Sequence, residues 1–508
     1  RELHIVTSCE LGQTSRPVMA YDRARTSVID ALRETRCVGC QIESSNEQFN
    51  AWAQRSSADL AMLIADNPEG PYPYAGVPWF STPFGRDGII VALHYLWVDP
   101  SVALGVLSFL AATQAAQEDP VRDAEPGKIL HEMRKGELAA LGEIPFGRYY
   151  GSIDSTPLFV ALAGAYYRRT ADRGLIDRIW PNIERALDWI DHFGDRDGDG
   201  FIEYQSATEK GLVNQGWKDS QDAIFHRNGE LADGPIALCE VQGYVYRAKL
   251  DAAELAQMRG ESERAKALRE QAESLRQRFE QAFWCDDIGT YAIALDGRKQ
   301  RCEIRSSNAG QVLWSGIASA ERAQRVARGL LAKASFSGWG IRTIAEGEPR
   351  FNPMSYHNGS IWPHDNALIA AGMARYGGAA KANAVTILTA LLDASIAMDQ
   401  HRLQELFCGF VRRESEGPTL YPVACSPQAW ASTSVFYLLQ ACLGLSFSPN
   451  EPRVRIDCPV LPEFMKTVRI SNLRVGDAVV DLAFELHQRD VSVNVLRKTG
   501  EVDVAVLL

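Results

Sequence analysis

The chain has 508 residues, of which 46% are hydrophobic and 23% are charged. These are the values of an ordinary folded protein, and they exclude intrinsic disorder as its main state. Lysine and arginine together number 53 against 64 aspartates and glutamates, so the formal net charge is −11. Because nucleic-acid-binding proteins concentrate positive charge, this acidic balance predicts no nucleic-acid partner.

Cysteine usage and hydropathy indicate the cellular compartment in which the protein is found. No continuously apolar run reaches the ~18–20 residues that a membrane span requires, so we predict no membrane association. The only CxxC spacing is that of Cys37 and Cys40, with no second pair at zinc-ribbon spacing. Cysteines inside apolar stretches, such as Cys239 and Cys442, are typical of reduced, buried thiols. We predict a cytoplasmic protein without metal or cofactor, and its oligomeric state stays open.

Three segments follow one another along the chain. Residues 1–20 are a short N-terminal segment of mixed composition. Residues 21–446 carry helical periodicity, as where Ile176, Ile179 and Ile183 recur on one stripe. Residues 447–508 contain short β-branched runs split by Gly, Asp or Asn, which predicts a small all-β C-terminal domain. The predicted helical segments are 87–97, 157–169, 176–190, 235–258, 265–279, 320–334, 364–375, 383–398 and 427–443.

The loops between these helices are unusually rich in Gly, Pro, Trp and Tyr. Examples are PYPYAGVPWFSTPFGRDG, GEIPFGRYYGSIDSTP and NPMSYHNGSIWPHDN. Connectors normally run ~2–8 residues and are polar, so long aromatic loops indicate a functional site on a rigid scaffold. Their recurrence fits helical hairpins wound into a toroid.

Common cofactor and nucleophile motifs are missing. There is no P-loop, no GxGxxG after a strand, no GxSxG elbow and no HExxH. What remains are carboxylates embedded among aromatic residues. This combination suits glycosidic bonds, which are cut by one carboxyl group that donates a proton and another that activates water or attacks the sugar.

Several loops together carry a family resemblance. PWFSTPFGRDG, EPGKILHEMRKGE, YYGSIDSTPLF, NQGWKDSQDAI, SYHNGSIWPHDNA, RLQELFCGF and YPVACSPQAWA resemble the bacterial amylo-α-1,6-glucosidase-like family, related to the glucosidase half of glycogen debranching enzymes. The resemblance covers roughly residues 45–445. It implies a mainly α fold, an (α/α)6 toroid barrel of the six-hairpin glycosidases, and an inverting α-glycosidase. Family members usually carry an N-terminal β-sandwich, of which residues 1–20 could only be the tail.

The resemblance implies two catalytic residues. Asp219 in GWKDS resembles the general acid, and Glu405 in RLQELF resembles the general base. A carboxyl group beside Trp217 is partly desolvated, which raises its pKa and retains a proton. The structural alternatives are a helix N-cap for Asp219 and a solvated or Arg402-paired side chain for Glu405. Gln404 departs from the family, which commonly has Pro there.

Other loop carboxylates compete for the role of base. Glu143 in GEIPFG and Glu240 in EVQGY are the alternatives to Glu405. Debranching enzymes place their base in a YHQG-type loop, where this sequence offers Ser360 and no Glu. Asp222 is predicted to be a positioning partner of the acid.

Arg86 and Asp87 in FGRDG resemble the pair with which glucoamylase-like barrels hold the terminal sugar. A carboxylate accepts two hydroxyl hydrogen bonds, and a guanidinium group donates in a fixed fork. The alternative is a surface ion pair that opens a helix. Trp79 and Phe80 would stack on the apolar face of a pyranose. Further substrate-binding candidates are Tyr150, Asp154, Trp217, Lys218, Asp222, Tyr356, His357, Trp362, His364 and Asp365.

The stretch DRDGDGFIEY resembles the start of a calcium loop. Asp195, Asp197, Asp199 and Gly200 stand at the first, third, fifth and sixth positions of an EF-hand-like loop. Ser206 occupies the twelfth position, where a bidentate Glu is needed. We therefore predict no metal at this turn.

These observations favour an exo-acting, inverting glycoside hydrolase that removes α-linked glucose from oligosaccharides, with α-1,6 branch stubs preferred on resemblance. One alternative is a glycoside phosphorylase on the same barrel. Others are an α-glycosidase for another small glycoside, such as a glucosylglycerate or trehalose, and a glycan-binding module without activity. Hydroxyl stereochemistry is read by ångström-scale placement, so the motifs leave the sugar open.

Overall fold

The computed structural model describes residues 19–208, 210–449, 451–488 and 490–507. Apart from its last two positions, the predicted N-terminal segment 1–20 lies outside the described residues. Helices account for most of the regular structure, and the strands gather mainly near the C-terminus. The coarse prediction of a mainly helical chain with a β-rich C-terminal part is therefore confirmed.

The helices follow one another from residue 21 to residue 443, with long loops between many of them. They are α1 (Tyr21–Val38), α2 (Glu47–Leu63), α3 (Gly85–Tyr95), α4 (Pro100–Thr113), α5 (Glu137–Ala140), α6 (Ser155–Thr170), α7 (Arg173–Trp189), α8 (Cys239–Arg259), α9 (Ser262–Ala282), α10 (Asn308–Ser315), α11 (Ala320–Leu330), α12 (Pro363–Arg375), α13 (Gly378–Ile396) and α14 (Ala429–Leu443).

Alternate helices form a continuous ring of contacts. Helices α3, α6, α8, α10, α12 and α14 contact one another in chain order, and α14 contacts α3 again. The first ten residues of α3 are all buried, whereas α9 buries a single stripe of five residues. The ring helices are therefore interior, and α2, α4, α7, α9, α11 and α13 pack around them.

Some helices differ from the sequence prediction for physical reasons. The pattern does not single out α2, α4 or α10. Helix α4 (PSVALGVLSFLAAT) is apolar on nearly every side, so it shows no stripe. Helix α8 begins at Cys239, four residues after the predicted start, because Ala237 and Leu238 pair with a neighbouring strand.

The strands form two sheets near the C-terminus and several short hairpins. The larger sheet has the order β1-β11-β12-β13, and the second has the order β14-β10-β9. The strands are β1 (Gln41–Ser44), β2 (Ile64–Asn67), β3 (Gly70–Pro73), β4 (Ala237–Leu238), β5 (Trp284–Cys285), β6 (Thr290–Tyr291), β7 (Ala294–Leu295), β8 (Arg301–Cys302), β9 (Leu445–Ser448), β10 (Arg453–Asp457), β11 (Thr467–Val475), β12 (Ala478–Leu486), β13 (Val491–Thr499) and β14 (Asp503–Leu507).

The β-rich part differs from the predicted range 447–508 at its edges. Strand β9 already begins at Leu445, and β1 pairs antiparallel with β11, Ile42 lying opposite Ile470. The sequence of β1, QIES, is polar and only four residues long, so no hydrophobic pattern marks it as a strand. Its partner lies more than 400 residues away, and this pairing ties the start of the helical region to the C-terminal sheet.

Among the residues that the structure describes, one helix, α13, is long and apolar enough to cross a membrane by length and composition. It is more than half buried, and it packs against α2, α11, α12 and α14. Its contacts are those of a core helix.

The described cysteines are free thiols, and Cys239 and Cys442 are buried as predicted. The side chain of Cys37 in the CxxC motif lies outside what the structure describes. The prediction of a cytoplasmic location stays a prediction.

A buried ion pair anchors the loop that precedes α14. Arg402 donates two hydrogen bonds, at 2.8 and 2.7 Å, to the carboxylate of Asp59 on α2, which also receives Arg55 at 2.9 Å. Asp59 is almost fully buried, so its charge requires these partners. The pair fixes the loop against α2 three residues before Glu405.

We expect Arg402→Ala to lower the free energy of unfolding by about 1–3 kcal/mol, because the buried carboxylate of Asp59 then loses its bidentate donor. The measurement is the midpoint of chemical denaturation. Arg413→Ala is the matched control, since Arg413 forms an exposed pair with Glu416 and should change stability little. Equal effects of the two substitutions would contradict this anchoring role.

Candidate active site

The candidate site lies where the first turns of the ring helices meet. Arg86 and Asp87 are in the first turn of α3, Asp154 immediately precedes α6, and His364 is in the first turn of α12. Gly85 allows a close approach, because a Cβ there would lie 1.9 Å from the carbonyl oxygen of Leu130. The start of α3 therefore packs directly on the loop at Leu130, and this contact positions Arg86.

Arg86 is the central cation of the site. Its Nη1 donates to Asp154 Oδ2 at 2.9 Å, and its Nη2 lies 3.5 Å from Asp219 Oδ2. The side chain is buried, which disfavours its charge, but Asp154, Asp219 and Asp87 together raise its pKa. Arg86 thus stays ionised and holds three carboxyl groups around one guanidinium group.

Asp219 lies on a loop that aromatic packing holds in place. Burial raises the pKa of Asp219 to about 6, and Arg86 opposes this rise. Its side chain remains 28% exposed. Beside it, the buried ring of Trp217 meets His364 edge-to-face at 5.2 Å, and Lys218 Nζ donates to the Thr343 carbonyl at 2.7 Å. The neighbours of Asp219 are therefore fixed while its own carboxyl group reaches solvent.

Glu405 is held by two hydrogen-bond donors. Tyr356 Oη donates to Oε1 at 2.6 Å, and the backbone N–H of Cys425 donates to Oε2 at 2.9 Å. Burial raises the pKa of Glu405 to about 7 and Asp219 adds to the rise, while the two donors lower it. Arg402 binds Asp59 instead, so the alternative of an Arg402-paired Glu405 is wrong.

Asp87 interacts electrostatically with both candidate catalytic residues, Asp219 and Glu405. Burial raises its pKa to about 7, with Arg86 opposing and with Glu405 and Asp219 contributing repulsion. Within the described ranges, no donor forms a hydrogen bond to its carboxylate. No described protein donor thus occupies the Asp87 oxygens, and the sugar-binding role of Asp87 stays a prediction.

The other carboxylates predicted near the site, Glu143, Glu240 and Asp222, have surroundings that differ from those of Asp219 and Glu405. Glu143 is exposed on its loop. Glu240 is buried, and its Oε1 has neither a partner nor solvent access. Asp222 is also exposed, and only its backbone carbonyl is engaged, by Asn358 at 3.0 Å. Glu143 and Asp222 therefore face solvent, whereas Glu240 is enclosed in the protein and interacts electrostatically with Lys218 and Asp154.

The predicted aromatic residues fall into distinct positions. Trp79 is 56% exposed at the rim, where its Nε1 donates to the Val423 carbonyl at 2.9 Å, and Phe80 is half-buried beside it. Tyr150 is turned away into the core, and its hydroxyl donates to the Thr113 carbonyl at 2.7 Å. Trp79 thus borders the site from outside, and the structure does not bring Tyr150 into it.

The other predicted aromatics form a packed layer beneath the carboxylates. His357 stacks on Trp362 at 5.2 Å, and His364 stacks on Trp430 at 3.7 Å. Burial holds the pKa of both histidines well below the usual range, so both rings are neutral. Asp365 lies deeper still, where it accepts a hydrogen bond from Gln311 at 2.6 Å. This layer supports the site from below.

Two charged residues near Asp219 were not among the predicted site residues. Glu132 is buried and accepts a hydrogen bond from Arg134 Nε at 2.5 Å. Burial raises the pKa of Glu132, and Asp219 contributes to this rise by repulsion. Both residues belong to the ILHEMR stretch, where a charged pair interrupts an apolar run that leads into the site. This interruption is the feature of the sequence that could have identified Glu132 and Arg134 as site residues.

A lysine side chain of the protein pairs with the carboxylates of the calcium-like turn. Asp195, Asp197 and Asp199 lie close together, as the spacing predicts. Lys299 Nζ lies 2.9 Å from Asp197 and 2.7 Å from Asp199, and it also contacts Glu203. The predicted absence of a metal stays a prediction.

Residues 85–410 match the family profile of the mannosylglycerate hydrolase MGH1-like glycoside hydrolase domain. The chain belongs to this family. The glycoside hydrolase domain accounts for most of the helical region and contains Arg86, Asp219 and Glu405. No curated protein sequence matches the chain.

Solved structures of other glycosidases share the fold. The GH63 mannosylglycerate hydrolase from Thermus thermophilus, in complex with Tris, is 13% identical, with a TM-score of 0.57 over 76% of this chain and 99% of that chain. The GH78 family rhamnosidase of Bacillus sp. GL1 is 14% identical, with a TM-score of 0.64 over 92% of this chain and 42% of that chain. The chain thus spans less than half the length of the rhamnosidase. At these identities the likeness concerns the fold alone.

We expect Tyr356→Phe to raise the pKa of Glu405 further, because it removes a donor that stabilises the carboxylate. The measurement is an NMR titration of glutamate carboxyl carbons in isotope-labelled protein, with the signal assigned through Glu405→Gln. Tyr421→Phe is the control, since Tyr421 packs on Tyr356 at 5.6 Å without a hydrogen bond to Glu405. An unchanged Glu405 titration in Tyr356→Phe would contradict the role of this hydrogen bond.

Proposed function

We propose that this glycoside hydrolase is an inverting, exo-acting enzyme that removes α-linked glucose from oligosaccharides. In this proposal Asp219 is the general acid and Glu405 is the general base. The observation that carries it is the shared environment of the two side chains. They come from separate loops, interact electrostatically with each other and with Asp87, and have pKa values raised towards neutrality.

The fold supports the proposal. Six interior helices in a closed sequence of contacts, with a second set packed around them, are what an (α/α)6 toroid requires. The N-terminal ends of interior helices supply partial positive charge to a site crowded with carboxylates. We propose that the ring is this toroid and that the loops preceding the interior helices form its substrate pocket.

The contacts support the division of roles between acid and base. Both donors on Glu405 suit an ionised carboxylate, which is the form that takes a proton from water. Asp219 is partly exposed, so a protonated oxygen there can reach the departing glycosidic oxygen. The two carboxyl groups titrate near neutral pH and repel each other, so the pair carries one proton over that range, and the catalytic form is the one with that proton on Asp219 and with Glu405 ionised. The profile of kcat/KM against pH is then bell-shaped, with its maximum between about pH 6 and 7.

Arg86, Asp87 and Asp154 hold the terminal sugar in this scheme. Asp87 accepts hydroxyl hydrogen bonds on a carboxylate that no described donor occupies, and Arg86 fixes the orientation of Asp154 and Asp219. Water attacks the anomeric carbon on the face opposite the leaving group, Glu405 takes its proton, and Asp219 protonates the leaving oxygen. The product has inverted anomeric configuration.

The substrate has two candidates within this proposal. The amylo-α-1,6-glucosidase resemblance favours glucose at α-1,6 branch stubs. The family profile and the Thermus hydrolase instead favour a small glycoside such as mannosylglycerate. Both are α-glycosides cut at the terminal sugar. The proposed roles of Asp219 and Glu405 are the same for either substrate.

We expect Asp219→Asn to lower kcat about 10²–10⁴-fold on an α-glucobiose, because the sugar leaving group needs a proton. The same variant should retain much more activity on α-glucosyl fluoride, whose leaving group departs without acid help. Glu405→Gln should lose activity on both substrates, and Glu143→Gln, which alters an exposed loop, should lose none. Near-normal turnover of the glucobiose by Asp219→Asn would overturn the assignment.

NMR detection of the first product anomer tests the stereochemistry. The proposal expects β-glucose to appear before mutarotation, at a rate independent of inorganic phosphate. Initial α-glucose would indicate retention. Absolute dependence on phosphate, with Glu405→Gln still active, would favour phosphorolysis. Binding of oligosaccharides with no product from any of them would favour a glycan-binding module.

A further inference from the structure

The proposed acid and base are connected through one loop, residues 356–361, which we call the spacer loop. Tyr356, its first residue, donates a hydrogen bond from its hydroxyl group to Glu405 at 2.6 Å. His357, the next residue, contacts Ser220 at 2.7 Å, and Ser220 directly follows the proposed acid in the chain. Two adjacent residues thus contact the proposed base and the neighbour of the proposed acid.

Further contacts join the spacer loop to the loop that carries Glu405. Ile361 and Phe407 exchange two backbone hydrogen bonds, at 2.9 and 3.0 Å. Gly409 packs directly on the spacer loop, since a Cβ at this position would lie 1.7 Å from the carbonyl oxygen of Gly359. The position of Glu405 is therefore tied to that of the spacer loop.

The chain around the proposed acid is tied to the spacer loop on both sides. Before the acid, Lys218 Nζ donates to the Thr343 carbonyl at 2.7 Å, and the Thr343 N–H donates to the Ser360 carbonyl at 2.9 Å. After the acid, Asn358 Nδ2 donates to the Asp222 carbonyl at 3.0 Å. These contacts hold the backbone that carries the acid against the same loop that holds the base.

The imidazole ring of His357 is a hydrogen-bond acceptor in this arrangement. The backbone N–H of Ser220, which can only donate, lies 3.3 Å from Nδ1, so the Ser220 hydroxyl also donates to this atom. Burial holds the pKa of His357 well below its usual range, and Lys218 adds to this effect, so the ring is neutral. Stacking on Trp362 at 5.2 Å fixes the plane of the ring. His357 therefore presents a lone pair to Ser220 in one orientation.

The separation of the two carboxyl groups decides which reaction they can perform. An inverting mechanism needs roughly 6.5–9.5 Å between them, because a water molecule must fit beside the sugar. A displacement of about 1 Å can lower the rate about 100-fold. The two groups also repel each other whenever both are ionised. Contacts that act against this repulsion are required, and the spacer loop supplies them.

Resting on the proposed function, we infer that the spacer loop sets the separation between the proposed acid and base, and that His357 is a positioning residue for Asp219. His357 acts through Ser220, whereas Tyr356 acts directly on Glu405. The two adjacent residues therefore serve different halves of the reaction. His357 serves the protonation of the leaving group, and Tyr356 serves the activation of water.

The test separates leaving-group protonation from folding. His357→Phe keeps a ring that can stack on Trp362 and removes the acceptor for Ser220. We expect kcat on an α-glucobiose to fall about 10- to 100-fold, with KM nearly unchanged. The rate on α-glucosyl fluoride should fall far less, because fluoride departs without acid help. A loss of folded enzyme would lower both rates in the same proportion. The α-mannosyl counterparts are measured in parallel.

Two further variants separate the hydrogen bond from the packing. His357→Asn keeps a side-chain acceptor but loses the stack, so it should restore most of the ratio of the glucobiose rate to the fluoride rate. Ser220→Ala removes the hydroxyl donor and leaves the backbone donor, so it should lower this ratio less than His357→Phe does. His487→Phe is the matched control, because His487 bonds Ser492 at 2.8 Å on the exposed C-terminal sheet. It should change neither rate.

An unchanged ratio in both His357→Phe and Ser220→Ala overturns the inference, whether the two rates stay normal or fall together. The proposed function survives that outcome if Asp219→Asn still loses its activity on the glucobiose and not on the fluoride. If the wild-type enzyme cleaves neither the glucosyl nor the mannosyl substrates, the proposed function fails, and this inference with it.

Discussion

The buried guanidinium group of Arg86 is the interaction on which the candidate site depends. Burying a cation is costly unless anions compensate it, and Asp154 and Asp219 provide that compensation from two other parts of the chain. The ion pairs therefore join α3, the start of α6 and the loop at Asp219. One charge requirement thus brings a proposed sugar-binding residue and a proposed acid to the same place.

The crowding of carboxylates around Arg86 also sets the pKa values on which the proposed catalysis depends. Burial and mutual repulsion keep the pKa values of Asp87, Asp219 and Glu405 near neutrality, where one carboxyl group of the proposed pair can hold a proton while the other is ionised. In the proposed mechanism, the reactivity of the site therefore comes from this electrostatic arrangement.

The local sequence pattern predicted those helices that bury one side and expose the other. The stripes of α7 and α9 were readable because each helix buries one side and exposes the other. Helix α4 is surrounded by the core and shows no stripe, so its existence was not predicted. The strand β1 was missed for another reason: its stability comes from pairing with β11, more than 400 residues away, and not from its own residues.

From the sequence alone came the glycosidase chemistry, the helical class, and a short set of carboxylates in aromatic loops, because motifs keep the residue types that a reaction needs in a readable order. Only the tertiary structure decided the surroundings of each of those carboxylates. It buried Glu240 without access, exposed Glu143 and Asp222, turned Tyr150 into the core, and gave Glu405 its two donors. Burial, orientation and charge partners arise from residues far apart along the chain, and a linear pattern carries no record of those distances.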